Sequence, residues 1–266
     1  MSPISVELSD LSIGYATRQG PRVVASHIEG PIHRGRLTCL LGENGVGKST
    51  LLRTLAAFQP PLSGEIVLEG LPLGQYDKHQ LARTIGIVLT EKPDVRQMTV
   101  RELVEMGRAP YTGFWGRLND TDHQACDEAI SMTGITHLIT RHVHTLSDGE
   151  RQKVMIAKAL AQQTPIIYLD EPTAFLDYPS KVEMLLLLRR ISHEAQKTIF
   201  LSTHDLELAL QVADTVWLMT RECGLQIGTS RELAANGALS QFIERHPDIQ
   251  FNPTTLGISV QDHATS

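Results

Sequence analysis

Cysteine is scarce in this chain of 266 residues: only Cys39, Cys126 and Cys223, far apart and odd in number. They form no Cys-x-x-Cys pair and no ligand cluster, which excludes a disulfide framework and fits a reducing compartment. Long apolar runs are missing too. The longest covers residues 184–188, whereas a membrane span needs about twenty residues. No basic excess exists: 24 Lys and Arg stand against 30 Asp and Glu, a net charge of −6. That argues against nucleic acid as the main partner. A basic start followed by an apolar stretch is also lacking, since Glu7 and Asp10 occupy that region. No secretory signal is read there. Internal repeats and low-complexity segments are absent.

What is present is ordinary globular material, 41% hydrophobic and 20% charged. The length suits one large domain or two small ones, with a core that needs no staples. Residues 4–11 alternate apolar and polar, a strand period. Residues 37–41 read as a buried strand feeding a glycine loop. Leu51, Leu52 and Leu55 share one face of a helix over 49–58, stopped by Pro60 and Pro61. Short strands follow at 65–69 and 85–89, with a helix at 77–83 between them. From about 91 to 145 the pattern is helical. A capping box opens at Thr99 and Glu102, a loop carries Tyr111, Phe114 and Trp115, and a helix over 119–133 ends at Gly134. A buried helix spans 147–162. Strands at 166–169, 198–202 and 215–219 then alternate with helices at 179–195 and 205–212. Alternation of this kind predicts an α/β fold with a mainly parallel sheet. The domain so read runs over 1–250, with a helical subdomain at about 91–145. Residues 251–266 read as a weakly patterned, partly disordered tail.

Residues 42–49 spell Gly-Glu-Asn-Gly-Val-Gly-Lys-Ser, the phosphate-binding P-loop, in its required place between a strand and a helix. Glycines let backbone N–H groups converge on phosphate without a side chain in the way. The helix N-terminus adds partial positive charge. Gly42, Glu43, Asn44, Gly45, Val46, Gly47, Lys48, Ser49 and Thr50 are the expected nucleotide contacts. Lys48 reaches the β- and γ-phosphates, and Ser49 binds Mg²⁺. The strand at 166–169 ends in Asp170 and Glu171. Ligands of parallel sheets sit beyond the strands' carboxyl ends. Asp170 is therefore expected near Mg²⁺, and Glu171 is expected to orient and deprotonate an attacking water.

Leu146-Ser147-Asp148-Gly149-Glu150 resembles the L-S-G-G-Q signature of ATP-binding-cassette (ABC) ATPases, and the resemblance covers roughly residues 4–245. It implies a P-loop ATPase core with an N-terminal antiparallel β subdomain and a helical insertion. It further implies that Tyr15 stacks on adenine and that His204 is the switch histidine at the γ-phosphate. Residues 174–177 then form the loop that crosses a dimer interface, with Asp177 near the nucleotide. Lys48, Glu171 and His204 become the catalytic set. Two copies pair head to tail, and Ser147 and the Gly149 amide of one reach the ATP held by the other.

Two departures stand out. Asp148 and Glu150 replace a glycine and a glutamine, so a carboxylate near ATP needs a cation such as Arg151 or Lys153. Thr90 stands where the family usually has a glutamine, and is expected to reach Mg²⁺ only through water. The stretch 98–117 resembles importers of iron chelates (siderophores, haem) and cobalamin, and the family docks its permease near here. The resemblance therefore implies a homodimeric, peripheral ATPase at the cytoplasmic face of a bacterial inner membrane. It would work with permease subunits and, indirectly, a substrate-binding protein. An exporter subunit, a soluble cassette unconnected to transport and a module that has lost turnover stay open as alternatives.

Overall fold

The computed structural model describes residues 2–18, 20–90, 97–113, 116–245 and 248–260. The chain opens with β1 (Ile4–Thr17) and β2 (Gly20–His33), followed by β3 (Leu37–Gly42) and α1 (Lys48–Leu55). Next come β4 (Ser63–Leu68), β5 (Leu71–Pro72), α2 (Lys78–Thr84) and β6 (Ile85–Val88). The middle holds α3 (Val100–Glu105), α4 (Asp120–Thr133) and α5 (Asp148–Ala161). Then β7 (Ile166–Asp170), α6 (Tyr178–Glu194), β8 (Thr198–Ser202), α7 (Leu206–Val212) and β9 (Thr215–Thr220) alternate. The chain closes with β10 (Gly224–Gly228), α8 (Ser230–Ala235), α9 (Ala238–Ile243), β11 (Ile249–Asn252) and β12 (Gly257–Val260).

The central sheet has the order β10-β9-β3-β8-β7-β6. Its pairs are parallel except β9–β10. Side chains along its strands divide by the period of two. Cys39, Leu41, Ile167, Leu169, Ile199, Leu201, Val216 and Leu218 enter one core. Leu40, Ile166, Tyr168, Phe200, Trp217 and Met219 enter the other. Both faces are therefore buried, which is why these strands read as continuous apolar runs. On the second face α1 packs with Leu51, Leu52 and Leu55, beside Val6, Leu8, Leu11 and Ile13 of β1.

Beta strand β1 belongs to an antiparallel sheet of order β2-β1-β4-β5. It runs well beyond the alternation read at 4–11, and its partner β2 left no signal in the sequence. Only Ile28 and Ile32 of β2 are buried, and polar or small residues fill most of the rest. The insertion is helical among its described residues, with one isolated bridge between Thr99 and His142. Arg108 anchors it: its guanidinium donates to Asp122 at 2.9 Å, to the Ala161 carbonyl at 2.7 Å and to Gln163 at 2.9 Å. The chain after 250 pairs β11 with β12 and buries Phe251 against the core, so this part of the tail is structured up to Val260.

Candidate active site

Three carboxyl ends of neighbouring strands build the site. Strand β3 stops at Gly42, whose φ of 156° lies at the edge of the left-handed region. A Cβ there would stand 2.3 Å from the Met219 carbonyl oxygen, so the loop leaves the sheet where no side chain fits. Gly47, at φ 116°, precedes α1 and makes no side-chain cap, so the amides of the first turn stay available for an anion. Val24 packs under it: a Cβ on Gly47 would be 2.7 Å from Val24 Cγ1.

Lys48 is 6% exposed. Its Nζ folds back and donates to the carbonyls of Gly42 at 2.8 Å and Glu43 at 3.0 Å. Burial pulls its pKa below the usual lysine value, and the charges of Glu171, Asp170 and Glu43 partly offset that. The amine therefore sits within the field of both carboxylates at the end of β7.

Asp170 and Glu171 are both held from β8, the first by its carboxylate and the second by its backbone. The Ser202 hydroxyl donates to Asp170 Oδ1 at 2.7 Å, and accepts from the Glu171 amide at 3.0 Å. Ser49 Oγ donates to the same Asp170 oxygen at 3.4 Å. Glu171 takes a φ of 48°, a conformation costly for a residue with a Cβ, which turns it away from the strand direction. Its Oε1 lies 2.6 Å from His204 Nε2. Asp205, next to His204, accepts from Thr173 Oγ1 at 2.7 Å and from Lys181 Nζ at 2.6 Å. This second carboxylate links the segment after Glu171 to the segment carrying the histidine. Sequence reading missed it, because its partners lie on other elements.

Lys48, Ser49, Asp170, Glu171 and His204 thus lie together beyond the ends of β3, β7 and β8. Tyr15 stands beside them, 44% exposed, with its hydroxyl 3.0 Å from Thr50 Oγ1. Thr90 makes a contact that the sequence did not suggest. Its hydroxyl donates to the Asp170 carbonyl at 2.7 Å and ties the end of β6 to that of β7. The remaining residues sit elsewhere in the chain. Ser147 is the N-cap of α5, donating its amide to Glu150 Oε2 at 2.8 Å and accepting from the Glu150 amide at 3.2 Å. Glutamate in place of glutamine therefore completes a capping box. Those hydrogen bonds, from the Ser147 backbone above all, hold the Glu150 carboxyl below its ordinary pKa. Arg151 approaches Asp148 at 3.9 Å, while Lys153 pairs with Glu183 at 2.7 Å. Asp177 caps α6 by accepting from the Ser180 amide at 2.9 Å. A Cβ on Gly149 would lie 3.8 Å from Ser180 Oγ, so signature and α6 share one corner.

Of the aromatic loop, Tyr111 is sandwiched by guanidinium groups, with Arg108 at 3.9 Å and Arg83 at 4.7 Å from its ring centre. Phe114 and Trp115 lie outside the described residues. Groups of three or more His, Cys, Asp or Glu able to hold a metal are absent among the described residues. Ser49 and Asp170 instead offer hard oxygen atoms next to a phosphate loop. That is the donor set Mg²⁺ uses when substrate phosphates and water complete its shell.

A family model described as "ABC transporter" matches residues 25–174. An uncharacterized ABC transporter ATP-binding protein of Methanocaldococcus jannaschii is 40% identical over 80% of this chain and 72% of its own. The iron(3+)-hydroxamate import ATP-binding protein FhuC of Bacillus subtilis is 34% identical over 94% of this chain and 92% of its own. The ferric enterobactin transport ATP-binding protein FepC of Escherichia coli is 39% identical over 76% and 73%. Among solved structures, cbiO1 of Clostridium perfringens, part of the transporter complex cbiONQ, superposes with a TM-score of 0.76 at 30% identity, covering 92% and 96%. The dimeric bacterial cassette MJ0796 shares the fold, with a TM-score of 0.71 at 23% identity over 84% and 98%.

Proposed function

The chain belongs to the ABC transporter family of ATP-binding proteins, and we propose that it is the ATPase subunit powering uptake of an iron chelate through a membrane permease. The cargo class is a siderophore, with haem and cobalamin as chemically related alternatives. The observation that carries the enzymatic part is the 2.6 Å approach of Glu171 Oε1 to His204 Nε2 beside the phosphate loop. The cargo class rests on relatives named for hydroxamate and enterobactin iron transport.

In this reading ATP lies along the loop 42–49, its adenine against Tyr15. Lys48 leaves its two carbonyl partners and turns to the β- and γ-phosphates. Thr50 supports the loop from α1. Glu171 accepts a proton from the attacking water as that oxygen bonds the γ-phosphorus and the bond to the β-phosphate oxygen breaks. His204 positions Glu171 and touches the γ-phosphate. Mg²⁺, held by Ser49 and Asp170 with Thr90 behind them, would neutralise charge on the transferring phosphoryl group. Ser147, the Gly149 amide and Asp177 meet ATP only across a homodimer, which suits their common corner at α5 and α6.

Among the described residues no helix is long and apolar enough to cross a membrane. Uptake therefore calls for separate permease subunits, with a substrate-binding protein feeding them, and a peripheral place at the cytoplasmic face of the inner membrane. A cleft of about 480 Å³ lined by Phe58, Leu81, Ala82, Ile87 and Lys158 supports that docking. Phe58 is 59% exposed there. The neighbouring Arg83 holds the aromatic loop through the Pro110 carbonyl, both nitrogens at 3.1 Å.

Affinity capture from a detergent extract tests the reading. A multispanning membrane protein should co-purify, and the reconstituted complex should couple ATP hydrolysis to uptake of a ferric chelate. A complex that hydrolyses ATP but moves no ferric chelate, haem or cobalamin would overturn the cargo class.

A further inference from the structure

A carboxylate inside a loop that must attract a polyphosphate is electrostatically misplaced. Glu43, the second residue of the loop, is one, and its charge is felt at Lys48. Two guanidinium groups answer it. Arg245 Nη1 lies 2.6 Å from Glu43 Oε1, and Arg221 Nε lies 4.0 Å from Oε2. Arg245 also reaches Glu222 at 3.8 Å through its other nitrogen. Arg221 hangs over the loop, its Nη2 3.4 Å from the place a Cβ on Gly45 would take.

Both arginines come from beyond the residues the family model matches, 25–174. Arg221 stands between β9 and β10. Arg245 follows α9, with its guanidinium 5.6 Å from the Phe242 ring centre. Its neighbour Glu244 accepts from the Phe251 amide at 2.9 Å, and Phe251 is buried. The carboxy-terminal hairpin therefore fixes where Arg245 sits.

We propose that Arg245, held by the carboxy-terminal helix and hairpin and assisted by Arg221, is a positioning residue that draws the Glu43 carboxylate away from the phosphate path and so sets ATP affinity. The inference rests on the reading that the loop 42–49 holds ATP. It assigns the carboxy-terminal unit a role at the nucleotide that a merely structural appendage would not have.

Equilibrium binding of ATP, ADP and AMP to the full-length chain tests it, with thermal unfolding as the folding control. Arg245→Ala should weaken ATP binding by about tenfold through one unscreened charge at the loop, and ADP and AMP by progressively less. The deficit should shrink as salt rises. Glu43→Gln should bind ATP several-fold tighter than the parent, because the arginines lose their partner. The double variant should recover most of the loss. Unchanged ATP affinity in Arg245→Ala overturns the proposal. So does a loss that is equal for ATP and AMP, or one that Glu43→Gln does not relieve. Should Arg245→Ala fail to fold, Glu43→Gln alone decides, since weaker ATP binding there contradicts the charge argument. A parent chain that binds no ATP would refute the nucleotide reading itself, a distinct result.

Discussion

His204 Nε2 lies 2.6 Å from Glu171 Oε1, and the Glu171 backbone is pinned to Ser202 at 3.0 Å. His204 thus holds the side chain, and Ser202 holds the backbone behind it. Glu171→Gln keeps the shape and removes the carboxylate proposed to accept the proton. Turnover should fall by about 10²–10⁴-fold, the usual contribution of a general base. ATP binding should survive, and an ATP-bound dimer should accumulate. Phosphate release and size-exclusion chromatography with ATP are the measurements. Unchanged turnover would remove Glu171 from catalysis.

Lys48 offers a separate test, because its amine is already desolvated and gives its protons to Gly42 and Glu43 carbonyls. Handing it to phosphate trades neutral acceptors for charged ones, and hydrogen bonds to charged groups are worth about 1.5–3 kcal/mol each. Lys48→Ala should therefore weaken ATP binding by about a hundredfold or more in calorimetry. Retained affinity would contradict the phosphate-loop assignment.

Asp205 lies outside the proposed chemistry, yet it ties Thr173 and Lys181 to the segment that carries His204. Asp205→Ala should let His204 drift from Glu171. Small misplacements at a reacting centre cost about ten- to a hundredfold in rate. The loss should fall on kcat, with KM changed little. An equal loss in KM would mean that the residue supports nucleotide binding instead.

Much of this site was legible beforehand because its parts are local. Glycine spacing, an apolar strand and two acids report themselves within ten residues, and the capping box at Thr99 and Glu102 formed where read. What escaped was set by distant partners. Strand β2 buries only Ile28 and Ile32, so it carries no alternation to detect. Strands β11 and β12 bury little beyond Phe251 and borrow their order from α9. The bond from the Thr90 hydroxyl to a carbonyl on the neighbouring strand is of the same kind. The Arg245–Glu43 pair joins opposite ends of the chain, and no spacing rule encodes that.

The capping boxes make the fold acid-sensitive in a defined direction. Glu102, Glu150 and Glu232 each accept from the amide of their N-cap residue, and that bond is the leading cause holding each carboxyl below its usual pKa. A carboxyl with a depressed folded pKa stabilises the native state above its unfolded pKa. It loses that contribution as pH falls through the folded value. The loss should therefore begin near pH 4.5, the ordinary value for these glutamates, and continue below it. Ser147→Ala should cost about 1 kcal/mol at pH 7, the typical worth of an N-cap. Glu150→Ala should destabilise at pH 7 and less at about pH 3, which lies below the ordinary value of 4.5 where the contribution of the depressed wild-type carboxyl starts to fall away. Urea unfolding at the two pH values measures both. A Glu150→Ala deficit of equal size at pH 3 and pH 7 would show that packing, not the charged cap, is what this glutamate supplies.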